Sequence, residues 1–261
     1  MSKCKGVGRS FHTNSKQSHF EYFLRTHFCI SKNIINKNSW VDNEYFYADI
    51  FAGDGGDETL AGSPVIFEKV NKESKITQNP IFIENNPATV IRLQSQMSYP
   101  VINAQNEDIL LDLPLKKNQI GLLYIDPNGD PPFELIREFY NRPHSKMIDL
   151  LIYFSGTTIK RALKSPIAKR GECLKDNISS LPKKHWLIRG AVGKSQWSFL
   201  MGSNWTDFPK MNKIGFYKTD SKDGQYILNK LNHTAEELKN LNIKKPYKQE
   251  QMNLFKEFPN D

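Results

Sequence analysis

Cysteine is scarce: the 261 residues include three, Cys4, Cys29 and Cys173, widely scattered and without a CxxC pair. That pattern supports neither a disulfide framework nor a zinc knuckle. Long apolar runs are missing too. The two that stand out, 120–125 and 150–154, are far too short to span a bilayer. Residues 1–8 carry lysines but no apolar stretch, so the expectation is a cytoplasmic protein with no secretory signal and no membrane partner. The histidines His12, His19, His27, His144, His185 and His233 lack metal-ligand spacing, which predicts surface or packing roles and no bound metal. No Ser-His-Asp order and no internal repeat is visible. What remains is ample for one large α/β domain, with 38% hydrophobic and 25% charged residues, the balance of a folded chain.

The net charge of +8 is unevenly spread. Residues 1–155 hold 16 Lys and Arg against 18 Asp and Glu, a balance of −2, whereas residues 156–261 hold 20 against 10, a balance of +10. A basic back half suits a polyanionic partner, and DNA is the expectation. Lys160, Arg161, Lys183 and Lys184 are candidate contacts. Trp186, Trp197 and Trp205, near Lys183, Lys184, Arg189 and Lys194, read equally as nucleobase platforms or as core.

Hydrophobic periodicity organises the first 155 residues. Phe20, Phe23, Leu24, His27 and Phe28 recur at helical spacing and predict a helix over 18–35. A strand is expected at 45–51, a helix beginning with Ser63 as cap and Pro64 at N1, a strand at 80–84, a helix over 87–97 and a strand at 101–104. The continuously apolar run 120–125 reads as a central parallel strand covered on both faces. A helix over 132–140 and a strand at 150–154 follow. Such alternation predicts a doubly wound, mostly parallel sheet, with short strands at 196–202 and 213–217 adding an antiparallel edge. A last helix is expected over 234–241, with Thr234 and Glu237 in capping-box positions. The division expected is a helical extension at 1–40, a main domain at 41–243 and a flexible tail at 244–261.

Four polar constellations fall at expected strand ends. The first is Asp49-Ile50-Phe51-Ala52-Gly53-Asp54-Gly55-Gly56. Glycines there let backbone approach a ligand, and Asp49 could accept hydrogen bonds from one. The spacing is not GxGxxG, which disfavours a dinucleotide fingerprint. The second is Glu84-Asn85-Asn86, an acid placed to hold ribose hydroxyls. The third is Asn106-Glu107-Asp108, able to accept from a purine amine or to sit as an ordinary loop acid. The fourth is Asp126-Pro127-Asn128-Gly129-Asp130-Pro131-Pro132-Phe133, opening from the best strand.

In this order the four resemble a class I S-adenosylmethionine-dependent methyltransferase. More narrowly, DIFAGDGG with Gly62-Ser63-Pro64, then FIEN, IDPNG and Tyr153-Phe154-Ser155-Gly156 with Lys160-Arg161, is similar to the three-Cys-motif partner family over about residues 45 to 205. The resemblance implies a Rossmann-like methyltransferase fold, S-adenosylmethionine as cofactor, and an association with phage or mobile elements. It implies cofactor contacts at Asp49, Phe51, Gly53, Gly55, Glu84, Asn85 and Asp108, and chemistry at Asp126, Pro127, Asn128 and Phe133. Cytosine-C5 chemistry needs a Pro-Cys nucleophile, and no cysteine here follows a proline. Asp130-Pro131-Pro132-Phe133 spells the amino-methyltransferase motif, in which the aromatic stacks on a flipped base. It lies four residues past the strand end, where the register gives Asp126-Pro127-Asn128-Gly129 and a glycine in place of the ring. Phe133 supplies that ring only if the loop folds back. The expectation is therefore an enzyme acting on or at DNA, with a non-catalytic module that recruits a separate partner enzyme as the alternative.

The tail adds Gln251-Met252-Asn253-Leu254-Phe255, which resembles the bacterial sliding-clamp-binding pentapeptide. Gln251 would hydrogen-bond at one end while Leu254 and Phe255 fill an apolar pocket, with Met252 as the aliphatic residue of the motif. An amphipathic tail docking on its own domain is the alternative.

Overall fold

Alternating strand and helix patterns fold here into three layers, with helices on both faces of one sheet. The computed structural model describes residues 13–57, 60–76, 79–105, 109–127, 129–155, 173–190, 197–205, 211–233 and 235–240. The first elements are α1 (Thr13–Lys37), β1 (Phe46–Asp49), the two-residue strands β2 (Gly56–Asp57) and β3 (Leu60–Ala61), α2 (Ser63–Ser74), β4 (Ile81–Glu84), α3 (Pro87–Gln94) and β5 (Val101–Asn103). Next come β6 (Gly121–Ile125), α4 (Phe133–Asn141), β7 (Ile148–Ser155), α5 (Cys173–Ser180), β8 (His185–Arg189), β9 (Trp197–Ser203), β10 (Phe216–Lys218), α6 (Lys222–Asn232) and α7 (Ala235–Asn240).

The main sheet has the order β10-β8-β9-β7-β6-β1-β4-β5. Strands β5, β4, β1, β6 and β7 are parallel neighbours in that sequence. Counted in chain order they run 3-2-1-4-5, so the winding reverses between β1 and β6. A crevice opens at such a reversal, outside the carboxyl ends of the strands. The antiparallel part is larger than the expected edge. Strand β9 pairs antiparallel with both β7 and β8, and β10 pairs antiparallel with β8. Neither β8 nor α6 is legible in the sequence: His-Trp-Leu-Ile-Arg is short and charged at its end, and only its place between β9 and β10 makes it a strand. The segment Met211–Ile214 is a 3-10 turn, so the last strand starts later than expected.

Side chains of β1 alternate between two cores. Tyr45 and Tyr47, before and within the strand, join the core that contains Phe20, Phe23, Leu24 and Phe28 of α1 and Phe67 of α2. Phe46, Ala48 and Ile50 join the opposite core, with Ile136 and Phe139 of α4 and Leu228 and Leu231 of α6. Helix α1 is therefore one wall of the domain. Its apolar stripe lies against the sheet, and two buried polar contacts fix its position. His27 Nε2 is 3.0 Å from Asp149 Oδ2, and the Tyr45 hydroxyl is 2.9 Å from His27 Nδ1. Nearer its start, His19 lies 2.6 Å from Arg189 Nη2 through Nε2. Burial first, and the neighbouring guanidinium second, push the His19 ring down to about 3, so it is neutral and accepts from Arg189.

Phe23 is fully buried and contacts the rings of His27 and Phe216. Phe23→Ala should lower unfolding stability by about 3–5 kcal/mol through lost burial and a residual cavity, read as a fall in urea midpoint. A midpoint unchanged from wild type would mean that α1 is a detachable extension.

Candidate active site

Asp49 ends β1 at the winding reversal with no exposed surface. Its Oδ2 accepts from Ser63 Oγ at 2.7 Å and its Oδ1 from the Phe51 amide at 3.2 Å. The carboxyl is thus engaged inside the protein, not held out to a ligand as expected from sequence. Ser63 is likewise reassigned. Gly62, which has no side chain to cap with, is the N-cap of α2, and Ser63 is its first residue, its hydroxyl donated to Asp49. Burial raises the Asp49 carboxyl to about 7; the Asp126 charge adds to the rise, while Ser63, the Phe51 amide and the Lys16 ammonium oppose it.

Beyond Asp49 the backbone turns through Gly53 at φ +67° and Gly55 at φ +77°. The two glycines serve different ends. A Cβ on Gly55 would come within 2.9 Å of Leu93 Cδ1 and 3.0 Å of Gln96 Oε1, so this glycine lets α3 pack close. A Cβ on Gly53 would meet nothing within 4 Å, so this glycine borders open space. The Gly53 amide donates to Glu84 Oε2 at 3.1 Å, and the Asn86 amide donates to Glu84 Oε1 at 2.8 Å. The first two predicted constellations therefore meet. Asn85 is exposed beside them, and its carbonyl accepts from Asn103 Nδ2 at 3.2 Å. Phe51 is half-buried and packs against the core on the α4 side.

On the other side of the reversal, Asp126 follows β6. Its Oδ2 accepts from the Tyr124 hydroxyl at 3.0 Å and from Lys16 Nζ of α1. The same ammonium lies 3.7 Å from the centroid of the Tyr153 ring. Lys16, Tyr124 and Tyr153 are site residues that sequence reasoning missed. One signal was present: Lys16 falls on the stripe of Phe20, Phe23 and His27, a charge in an apolar register, but just ahead of the expected helix start. Pro127 is half-buried next to Asp126. Phe133 does not fold back as a free ring; it opens α4 and stacks on Phe154 with centroids 6.2 Å apart.

One further expectation is corrected, and one reading left open by the sequence is decided. Lys183, expected to contact DNA, is 7% exposed. Its Nζ donates to the carbonyls of Ile148 and Lys146 and lies 3.9 Å from the Tyr140 ring centroid. Burial lowers its ammonium to about 7, against a smaller opposing pull from Asp149. Trp197 is core, among Tyr153 and Phe199. Lys184 is exposed. Asp108, Asn128, Lys160, Arg161, Gln251, Met252, Leu254 and Phe255 lie outside the described residues. Among the described residues no group of three or more His, Cys, Asp or Glu could hold a metal, and no helix is long and apolar enough to cross a membrane.

The raised Asp49 carboxyl makes stability depend on pH. The native state keeps a proton there that the unfolded chain has released once pH exceeds about 3.8. Where the native state binds more protons, stability falls as pH rises. Unfolding stability should therefore decline from about pH 4 to about pH 7, and Asp49→Asn should flatten that contribution in urea titrations across the window. An identical decline in the variant would show that Asp49 is already ionised in the native protein.

No family model and no curated protein matches the chain. Among solved structures, protein LPL1258 from Legionella pneumophila aligns over 73% of this chain and 88% of its own, with 13% identity and a TM-score of 0.50. A SAM-dependent methyltransferase from Archaeoglobus fulgidus aligns over 74% and 99%, at 15% identity and TM-score 0.41. M. jannaschii TYW2 in complex with AdoMet aligns over 75% and 76%, at 14% identity and TM-score 0.41. At such identities the likeness is one of fold, and the 3-2-1-4-5 winding seen directly makes that fold a doubly wound α/β sheet with antiparallel members.

Proposed function

We propose that the crevice binds S-adenosylmethionine and that the protein transfers its methyl group to an amino nitrogen on DNA. One observation carries the cofactor reading: the Gly53 amide is bonded to the Glu84 carboxylate at the winding reversal, beside open space. A carboxylate offers about four lone-pair sites. The two amides that Glu84 accepts, from Gly53 and Asn86, leave capacity for a pair of vicinal hydroxyls. Glu84 and Asn85 would hold the ribose, the 53–55 turn would follow the amino-acid portion, and Asp108 would meet the adenine. Bound there, the cofactor supplies an electrophilic methyl group on a sulfonium. Asp49 acts behind the site, through Ser63 and the Phe51 amide, by fixing the turn. Asp126 orients the acceptor amine and receives its proton, and Pro127 and Asn128 carry the loop that positions it.

DNA as the carrier of that amine is supported by the +10 balance of residues 156–261, a charge suited to a phosphate backbone. The motif at 251–255 supports recruitment by a sliding clamp. A second reading, a non-catalytic module that brings a partner enzyme to DNA, is favoured by the Lys16 ammonium already seated on Asp126.

Calorimetric titration with S-adenosylmethionine tests the cofactor. Glu84→Gln should weaken binding about tenfold or more, since hydrogen bonds to a charged group are worth roughly 1.5–3 kcal/mol. Equal affinity in the folded variant would remove Glu84 from the site. Methyl transfer from labelled cofactor onto DNA, RNA and protein pools separates the two readings: binding without transfer to any pool would favour the non-catalytic module. For the tail, a peptide of residues 246–261 should bind a bacterial clamp, and alanine at Leu254 and Phe255 should cost at least about tenfold, because each buried side chain contributes ~1.5–3 kcal/mol.

A further inference from the structure

An amine of the chain itself occupies the acceptor side of the crevice. Lys16 Nζ donates to Asp126 Oδ2 and sits 3.7 Å from the centre of the Tyr153 ring. The Tyr124 hydroxyl donates to the same carboxylate oxygen at 3.0 Å. A carboxylate on one side and an aromatic face on another are the recognition chemistry of an alkyl ammonium. Water is largely excluded: the Lys16 and Asp126 side chains are 20% and 16% exposed. The placement is rigid. Phe20, one turn on from Lys16, stacks on Tyr124 with centroids 4.3 Å apart, and His19 accepts from Arg189. The pair also lies beside the strand end that leads into the glycine turn, since Tyr124 is the register partner of Asp49 across β1 and β6.

We infer that Asp126, Tyr124 and Tyr153 form a primary-amine subsite whose resident amine is Lys16, and that Lys16 Nζ is methylated in cis. The inference rests on the methyl-donor reading above. In the step, the Lys16 ammonium first loses one proton, through Asp126 Oδ2, to water. Its nitrogen lone pair then forms the new N–C bond as the sulfonium C–S bond breaks, and the bonding pair leaves with sulfur as a neutral thioether. The sulfonium charge passes to the nitrogen, so methyl-Lys16 is again an ammonium and still pairs with Asp126. An external amine must displace Lys16 to be methylated, which makes the lysine a competitor of the true acceptor.

Two measurements on the full-length protein test this. The first needs no cofactor. In a brief pulse of acetic anhydride followed by peptide mass spectrometry, Lys16 should react about tenfold slower than exposed Lys69 and Lys72, and Asp126→Asn should bring it near their rate, because losing the carboxylate removes the charge-assisted bond that holds the amine. Equal rates in wild type would overturn the subsite. In the second, wild type is incubated with methyl-labelled S-adenosylmethionine. Label should appear on the Lys16 peptide at a rate independent of protein concentration. It should vanish in Lys16→Arg, which keeps the charge, and fall about tenfold or more in Asp126→Asn. Cofactor binding by calorimetry with no label on Lys16 would overturn the inference and leave the cofactor reading standing. Absence of cofactor binding would overturn both, and a rate proportional to protein concentration would overturn transfer in cis.

Discussion

A carboxyl group buried out of water at the end of β1 sets the geometry of the crevice. Asp49 would be costly there without partners. Ser63 and the Phe51 amide supply them, and each ties a separate piece of chain to the strand end. The Phe51 amide starts the turn directly after β1. Ser63 brings in the first residue of α2, and that helix begins one position earlier than a serine cap would start it. Between these anchors the chain runs through glycines that take up positive φ, and the Gly62 amide returns to the Gly55 carbonyl at 2.6 Å. The turn is then held at the distance where the Gly53 amide reaches Glu84.

Helix α1 has two functions, and they use adjacent turns. Its middle and later turns bury Phe23, Leu24 and Phe28 against the sheet, and His27 bonds Asp149. Its early turns carry His19 to Arg189 and Lys16 to Asp126. Because these contacts share one rigid helix, the packing that stabilises the core also decides where the Lys16 ammonium sits. The Lys16–Asp126 pair is therefore built from groups 110 residues apart in the chain.

The same logic explains the lysine that was misjudged. Lys183 follows Leu181 and Pro182 at the entry to β8, in a stretch that reads as a basic surface. In the fold its nitrogen lies over the Tyr140 ring and meets the carbonyls of Lys146 and Ile148, at and just before the start of β7. A long aliphatic stem lets a lysine be buried when carbonyls wait for its head, and no local pattern announces those carbonyls.

The sequence by itself determined the alternation of strands and helices through 155, the two-sided apolar runs of the central strands, and the placing of Asp49, Gly53, Glu84 and Asp126 at strand ends. These are local properties: periodicity, glycine and proline punctuation, and acids following apolar runs. Tertiary structure decided the rest. It made β8 a strand by giving it two neighbours, turned Asp49 inward onto Ser63, committed Phe133 to Phe154, and laid Lys16 on Asp126. Each of these depends on which distant groups compensate a buried charge or a ring face, and that compensation exists only once the layers have packed.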